Sequence, residues 1–440
     1  MYSDEVLVTP DLANVLHFAY RPAFSLEYLR SHPYIVHMAG FRTQILRDIG
    51  GFDETLHISQ DYDLILRAIE IAKSIVHIPE ILYQWRILPS SAGEQKMHDV
   101  MATSKALLQR HLDRCGEGGT VDDGAGFNLF DTRYPLQADL KIAIIIPTKN
   151  HGDLLRQCID SIRNTVSGLN YDIVVIDHES DDADTKAYLS SISDAVRVLP
   201  FKGKFNFSAI NNWAVSQLDS AYSHFLFCNN DIEAIHPGWL ERMLQLGQHR
   251  TVGIVGAKLL YPDRETIQHA GVCVGMYGAA EHYGKFLSPP RTPGAPGFPV
   301  VLWSNHEVAA VTAACLLMRK DAFHKIGGFD ETLAVGFGDV DLCLRVRDQG
   351  YVVLYCAYAE LLHHESYTRG KSAVDPHPED SALFQAKWRK MLKAGDPYYN
   401  PGFSLMNTSW HYANPMPCHI DIKRRVFEWD ANTGLQRITI

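Results

Sequence analysis

The chain has no excess of basic residues, no CxxC pair, no glycine-rich phosphate loop, and no apolar run near the ~20 residues that span a bilayer. Each lack excludes something. The formal net charge of -10 argues against a nucleic-acid partner, because binding a phosphate backbone relies on a basic surface that displaces counterions. The eight cysteines (Cys115, Cys158, Cys228, Cys273, Cys315, Cys343, Cys356 and Cys418) are scattered. Several sit in apolar runs such as HFLFC and VDLCL, and they read as buried thiols in a reducing compartment. No secretory leader opens the sequence, so a cytoplasmic protein is expected, touching a membrane only through its partner. After the first strand of the second half, PTKNHGD is too poor in glycine to grip a triphosphate, which weighs against a sugar nucleotidyltransferase.

What is present is the composition of a globular protein, 46% hydrophobic and 21% charged, with enough apolar residues to build a sizeable core. At 440 residues the chain exceeds one ordinary domain of roughly 100–200 residues. An internal repeat supports two units. Gly50-Gly51-Phe52-Asp53-Glu54-Thr55-Leu56 returns unchanged as Gly327-Gly328-Phe329-Asp330-Glu331-Thr332-Leu333. Each copy follows a short basic helix pattern (FRTQILRDI, LLMRKDAFHKI). Each precedes an acidic cluster that opens an amphipathic helix (QDYDLILRAIE, GDVDLCLRVRDQG). The stretch from Cys115 to about Asp139 has the Gly and Asp content of a linker.

From Lys141 a new pattern begins. IAIIIP is a buried strand, DLLRQCIDSIRNTV a helix, YDIVVIDHESDD a strand with a polar exit, FNFSAINNWAVSQL a helix, SHFLFCNNDIE a strand, and PGWLERMLQLGQ a helix. That alternation indicates a parallel sheet with right-handed crossovers. Ligands in such sheets bind at the carboxyl ends of the strands, and the polar clusters fall there: Pro147-Thr148-Lys149-Asn150, Asp177-His178-Glu179-Ser180-Asp181 and Asn229-Asn230-Asp231.

Asn230, Asp231 and nearby Glu233 offer hard oxygen ligands where Mn²⁺ or Mg²⁺ could bridge a diphosphate; alone, the same residues would read as an Asx turn capping the next helix. His363 and His364 end another apolar run, and Arg369 and Lys371 follow. Such a group suits an anionic leaving group, with imidazole on the metal and the cations on phosphate oxygens. Asp339 and Asp341 open a helix and would serve there as N-cap and first-turn residues. A sugar hydroxyl, however, needs a carboxylate within reach to take its proton, and Asp339 is the candidate, with Asp341 secondary.

These residues resemble the inverting glycosyltransferases of family 2, which have the GT-A fold, a Rossmann-like α/β architecture. The resemblance covers essentially the whole chain. It implies that the P-T-x-N loop (Pro147, Thr148, Asn150) and the VVID-x-x-S-x-D segment (Asp177, Glu179, Ser180) hold base and ribose, and that Asn229-Asn230-Asp231 is the metal motif. It also implies that GDVDLCLR carries the base, Asp339, with Gly338 standing where the family has Glu. His363 to Gly370 match H-x-E-S-x-x-R-G, which places His363 on the metal, with His364 one register step away, and Arg369 and Lys371 on the diphosphate. DPYYNP at Asp396–Pro401 resembles the family's usual close.

The implied partners are a UDP-, dTDP- or GDP-sugar donor and a glycan acceptor, a polysaccharide or a lipid-linked glycan that would bring the chain to the cytoplasmic face of a membrane. Partial tandem modules of this kind are similar to those of bacterial O-antigen or capsule assembly, where rhamnosyl transfer is frequent. The expected division is a partial transferase-like module at 1–114, a linker at 115–140, a complete GT-A domain at 141–400 and an extension at 401–440. In the partial module, Tyr2-Ser3-Asp4-Glu5 resembles the metal motif of a related subgroup and Gln60-Asp61-Tyr62-Asp63 its base segment. Gln84 stands where a histidine is expected, and the nucleotide-binding strands are missing, so that half is expected to be inert. The competing reading is a carbohydrate-binding protein that keeps a dead transferase domain.

Overall fold

The computed structural model describes residues 1–88, 96–292, 299–364 and 376–413, together with the backbone of a strand pair, Val426–Asp430 and Leu435–Thr439. The chain divides into two compact units. The first comprises Met1–Tyr134, Pro290–His306 and Gly395–Ile440, the second Pro135–Pro289 and Glu307–Ala394.

The first unit is built on β1 (Tyr2–Val8), β2 (Val15–Ala19) and β3 (His77–Arg86), in the order β2-β1-β3. Helices α1 (Leu26–Ser31), α2 (Thr43–Asp48), α3 (Gln60–Ile71) and α4 (Met97–Cys115) accompany the sheet. Ser25 starts α1 by accepting the Tyr28 N–H, and Gly116 ends α4 in the left-handed conformation. Arg30, 2% exposed, donates to Glu27 (3.1 Å), to Glu117 (2.6 Å) and to the Tyr134 hydroxyl (2.9 Å), so this buried charge is paired on several sides.

The stretch expected as a linker instead carries a hairpin, β4 (Thr120–Asp123) against β5 (Phe130–Arg133), with Phe130, Asp131 and Thr132 buried. Two of its glycines, Gly119 and Gly124, serve close packing. A Cβ on Gly124 would lie 2.8 Å from the Leu129 carbonyl carbon, and one on Gly119 would lie 2.9 Å from the Arg133 oxygen.

The second unit contains β6 (Lys141–Thr148), α5 (Gly152–Thr165), β7 (Asn170–Asp177), α6 (Ala183–Ile192), β8 (Arg197–Pro200), α7 (Phe207–Ser216), β9 (His224–Cys228), β10 (Ile232–Ala234), α8 (Trp239–Gly247) and β11 (Val252–Leu260). Short strands β12 (Ile267–His269), β13 (Val272–Val274) and β14 (Ala280–His282) follow, and β15 (His306–Glu307) lies where the chain passes between units. The unit closes with β16 (Cys315–Arg319), α9 (Lys320–Ile326), α10 (Gly338–Asp348), β17 (Val352–His363), α11 (Pro378–Lys387) and α12 (Arg389–Ala394).

The main sheet runs β10-β17-β11-β16-β9-β6-β7-β8. The half marked by the strand and helix alternation, β9-β6-β7-β8, is parallel as expected. The other half is mixed: β16 runs antiparallel to both β9 and β11, whereas β11 and β17 are parallel. Ile142 through Ile146 of β6 and all nine residues of β11 are buried, which is why these strands read as unbroken apolar runs rather than alternating ones.

The sequence repeat is also a structural one. Gly50 and Gly51 have φ of 81° and 72°, Gly327 and Gly328 have 77° and 76°, values that favour glycine. In each copy the Asp side chain accepts from the Thr two residues on: Thr55 N–H to Asp53 at 3.0 Å, and Thr332 N–H to Asp330 at 3.1 Å. In each, a helix Asp binds an Arg four residues later, and that Arg donates to the carbonyl just before the glycines: Asp63 and Arg67 to Ile49, Asp341 and Arg345 to Ile326.

Candidate active site

The site is assembled by register at the carboxyl ends of the parallel strands. Pairing of β6 with β7 puts Thr148 beside Asp177, and Pro147 one step back beside Ile176. Asn150, at φ 58°, locks the two exits together. Its N–H donates to Ser180 Oγ (2.9 Å), its Nδ2 to Asp181 (2.8 Å), and its Oδ1 accepts the Asp181 N–H (2.9 Å). Asp177 Oδ1 accepts the Ser180 N–H (3.0 Å). Glu179, also left-handed at φ 53°, is exposed beside Gly203, whose N–H it accepts at 3.4 Å. Asn230 donates to Thr148 Oγ1 at 2.9 Å, which ties the exit of β9 to that of β6.

On the other side, β10 pairs Ile232 with His363 of β17, and so Asp231 meets that histidine. Asp231 Oδ1 lies 3.1 Å from His363 Nε2, off the line of a hydrogen bond, and takes no other partner among the described residues. Burial works against ionisation of Asp231, but His363, together with the backbone N–H of Asp231 itself and with His364, outweighs it and holds the carboxyl below its ordinary value. An orphaned carboxylate oxygen and an imidazole nitrogen converging in a mostly buried corner fit a divalent cation that accepts both N and O donors. His364 is turned elsewhere: its Nε2 meets Glu233 at 2.7 Å, alongside Gln157. Arg369 and Lys371 lie outside the described residues.

Asp339 is partly exposed and rigidly held: Oδ2 accepts the Ala313 N–H at 3.0 Å, Oδ1 the Val340 N–H at 2.8 Å. The neighbouring Ala314 carbonyl accepts the Asn229 N–H at 2.9 Å. One short segment therefore joins the candidate base to the strand exit that carries Asp231. Asp341, by contrast, is 0% exposed, and its oxygens are taken by Arg345 Nε (2.7 Å), Trp388 Nε1 (2.9 Å) and Lys387 Nζ (2.7 Å). The secondary catalytic role expected of Asp341 is not what this packing offers; the residue ties α10 to α11. Gly338 also has a packing reason, since a Cβ there would lie 2.9 Å from Ser208 Oγ.

Sequence reasoning missed Gln268 and His282. Gln268 bonds both His363 and His282, and burial lowers the proton affinity of His282 against the opposing pull of Glu281. They sit on three-residue strands, β12 and β14, too short for any periodic signal.

Residues 143–327 match the family model described as Glycosyl transferase family 2. The chain is 36% identical over 415 residues to the uncharacterized protein y4gI of Sinorhizobium fredii, an alignment covering 91% of this chain and 44% of that protein. It is 37% identical over 395 residues to the O-antigen biosynthesis protein RfbC of Myxococcus xanthus, covering 88% and 30%. Half of the chain is 25% identical, over 243 residues and 78% of the relative, to an N-acetylglucosaminyl-diphospho-decaprenol L-rhamnosyltransferase of Mycobacterium tuberculosis. Residues 143–327, all but Pro290–His306 of them in the second unit, thus match a glycosyltransferase family 2 model on the mixed α/β sheet described above. It spans less than half the length of the first two relatives. Among the described residues no helix is long and apolar enough to cross a membrane.

Proposed function

We propose that the second unit is a metal-dependent, inverting glycosyltransferase that moves a sugar from a UDP-, dTDP- or GDP-sugar to a glycan acceptor in surface-polysaccharide assembly. The observation that carries this reading is the meeting of Asp231 and His363 beside the strand exits, with Asp339 tethered to the same segment. Thr148, Asn150, Asp177, Glu179, Ser180 and Asn230 would line the nucleoside side, with Pro147 turning the first exit. Asp231 and His363 would hold Mn²⁺ or Mg²⁺, which supplies charge neutralisation for the departing diphosphate. Asp339 takes the proton of the attacking acceptor hydroxyl, its two backbone hydrogen bonds fixing the carboxylate while each oxygen keeps a lone pair free to accept. One carboxylate suffices, because attack comes from the face opposite the leaving group and the anomeric centre inverts.

The relatives' names support a lipid-linked or polysaccharide acceptor, met at the cytoplasmic face of a membrane, and make rhamnosyl transfer the first donor to try. Arg369 and Lys371 remain assigned to the diphosphate from the sequence alone. The test is a panel of nucleotide sugars assayed for Mn²⁺-dependent hydrolysis and transfer. Asp231→Ala is expected to abolish Mn²⁺-dependent donor binding in isothermal titration, and full activity in EDTA would remove the metal from the reading.

A further inference from the structure

Gln268, 2% exposed, fixes two imidazoles at once. Its side-chain Oε1 lies 2.7 Å from Nδ1 of His363, and its backbone oxygen 3.1 Å from Nδ1 of His282. The pairing of β12 with β11, Leu259 against His269 and Leu260 against Ile267, holds Gln268 in the sheet. His363 is itself 6% exposed, so its ring orientation is set by protein contacts rather than by water.

An amide oxygen can only accept a hydrogen bond, so in this pairing Nδ1 of His363 carries a proton, and a cation bound between Asp231 and His363 takes the place of any proton on Nε2. The other ring nitrogen, Nε2, is then left facing Asp231 Oδ1 at 3.1 Å and Asn229 Nδ2 at 3.4 Å. A ligating histidine needs this division, one nitrogen anchored by an acceptor and the other presenting its lone pair.

We propose that Gln268 is a positioning residue that holds His363 in the tautomer and orientation required for its Nε2 to ligate a divalent cation together with Asp231. This rests on the metal-dependent reading above. Gln268 touches neither donor nor acceptor in this role; it acts through His363.

The experiment titrates Mn²⁺ alone into wild type, His363→Ala, Gln268→Met and Gln268→Glu, reading bound Mn²⁺ from the loss of the free-ion EPR signal. Pulsed EPR then reports nitrogen coupling to the bound ion, and metal-free melting curves report the fold. Gln268→Met keeps the volume and loses the acceptor; it is expected to weaken Mn²⁺ affinity by ~10–100-fold, with reduced nitrogen coupling, while the metal-free melting curve stays cooperative and is lowered only as far as a buried Nδ1–H without an acceptor requires. Gln268→Glu keeps an acceptor and is expected to bind within a few-fold of wild type, or tighter. Wild-type affinity and nitrogen coupling in Gln268→Met would overturn the proposal. So would a ~10-fold loss in Gln268→Glu, which decides the matter if Gln268→Met does not fold. A wild type that binds no Mn²⁺ would instead bring down the metal reading, and this inference with it.

Discussion

Asp339 and Asp341 stand two positions apart on one helix, which points their side chains to opposite sides, and the surroundings of each decide what it can do. Asp339 is partly exposed and bonded only to backbone N–H groups, a geometry that leaves carboxylate lone pairs free to accept a proton. General-base catalysis typically contributes about 10²–10⁴-fold, so Asp339→Asn is expected to lower kcat by roughly that factor with donor affinity largely kept. Steady-state kinetics beside donor titration checks both parts. Asp341 is fully buried against Arg345, Trp388 and Lys387. An amide in its place turns an NH₂ group toward those donors, so Asp341→Asn is expected to cost about 1–3 kcal/mol of stability. A lowered melting temperature, with kcat of the folded protein close to wild type, is the outcome to look for; a large loss of kcat without destabilisation would return Asp341 to the chemistry.

At the scale of elements, the repeated turn and helix GGFDETL-to-acidic-cluster is the part most legible in the sequence, because left-handed glycines and Asx turns are specified by local chemistry. The parallel strands were legible for a similar reason: burial on both faces forces unbroken apolar runs, as in Ile142–Ile146. The antiparallel insertion of β16 and the anchoring of His363 by Gln268 depend on partners 60 to 95 positions away, and no local pattern encodes those. The hairpin at 120–133 was hidden because Gly119 and Gly124 permit close packing yet look like linker residues.

The same repeated turn carries a pH prediction. Asp330 is bonded by Lys387 and Thr332; burial works against its ionisation, but those partners outweigh it and hold the carboxyl down at about 2. A depressed carboxyl contributes stability above the ordinary carboxylate range and loses it as pH falls toward about 2. Melting temperatures measured down that range are expected to fall less steeply for Asp330→Asn than for wild type.

At the scale of the whole molecule, the two units share a turn and a helix but differ in what their acidic residues are doing. In the first unit, Asp4 is 0% exposed and its oxygens are taken by the Arg21 N–H (2.9 Å), His77 Nε2 (2.8 Å) and Asn400 Nδ2 (2.8 Å). Glu5 is paired with Arg21. A motif so fully engaged has little left for a metal, and we take the first unit to be structural in this reaction. Asp61, exposed and bonded only to the next N–H, is the counterpart of Asp339; Asp61→Asn is expected to leave turnover unchanged, and a large loss of rate in a folded variant would give the first unit a part in catalysis. The central claim, a single displacement in the second unit driven by one carboxylate, is tested most directly by the anomeric configuration of the product. Wild-type protein is supplied with the donor that the nucleotide-sugar panel selects, and the one-bond carbon–hydrogen coupling at the new anomeric carbon is measured by NMR. Inversion relative to the donor is the expected result, and a product that retains the donor's configuration would contradict the account.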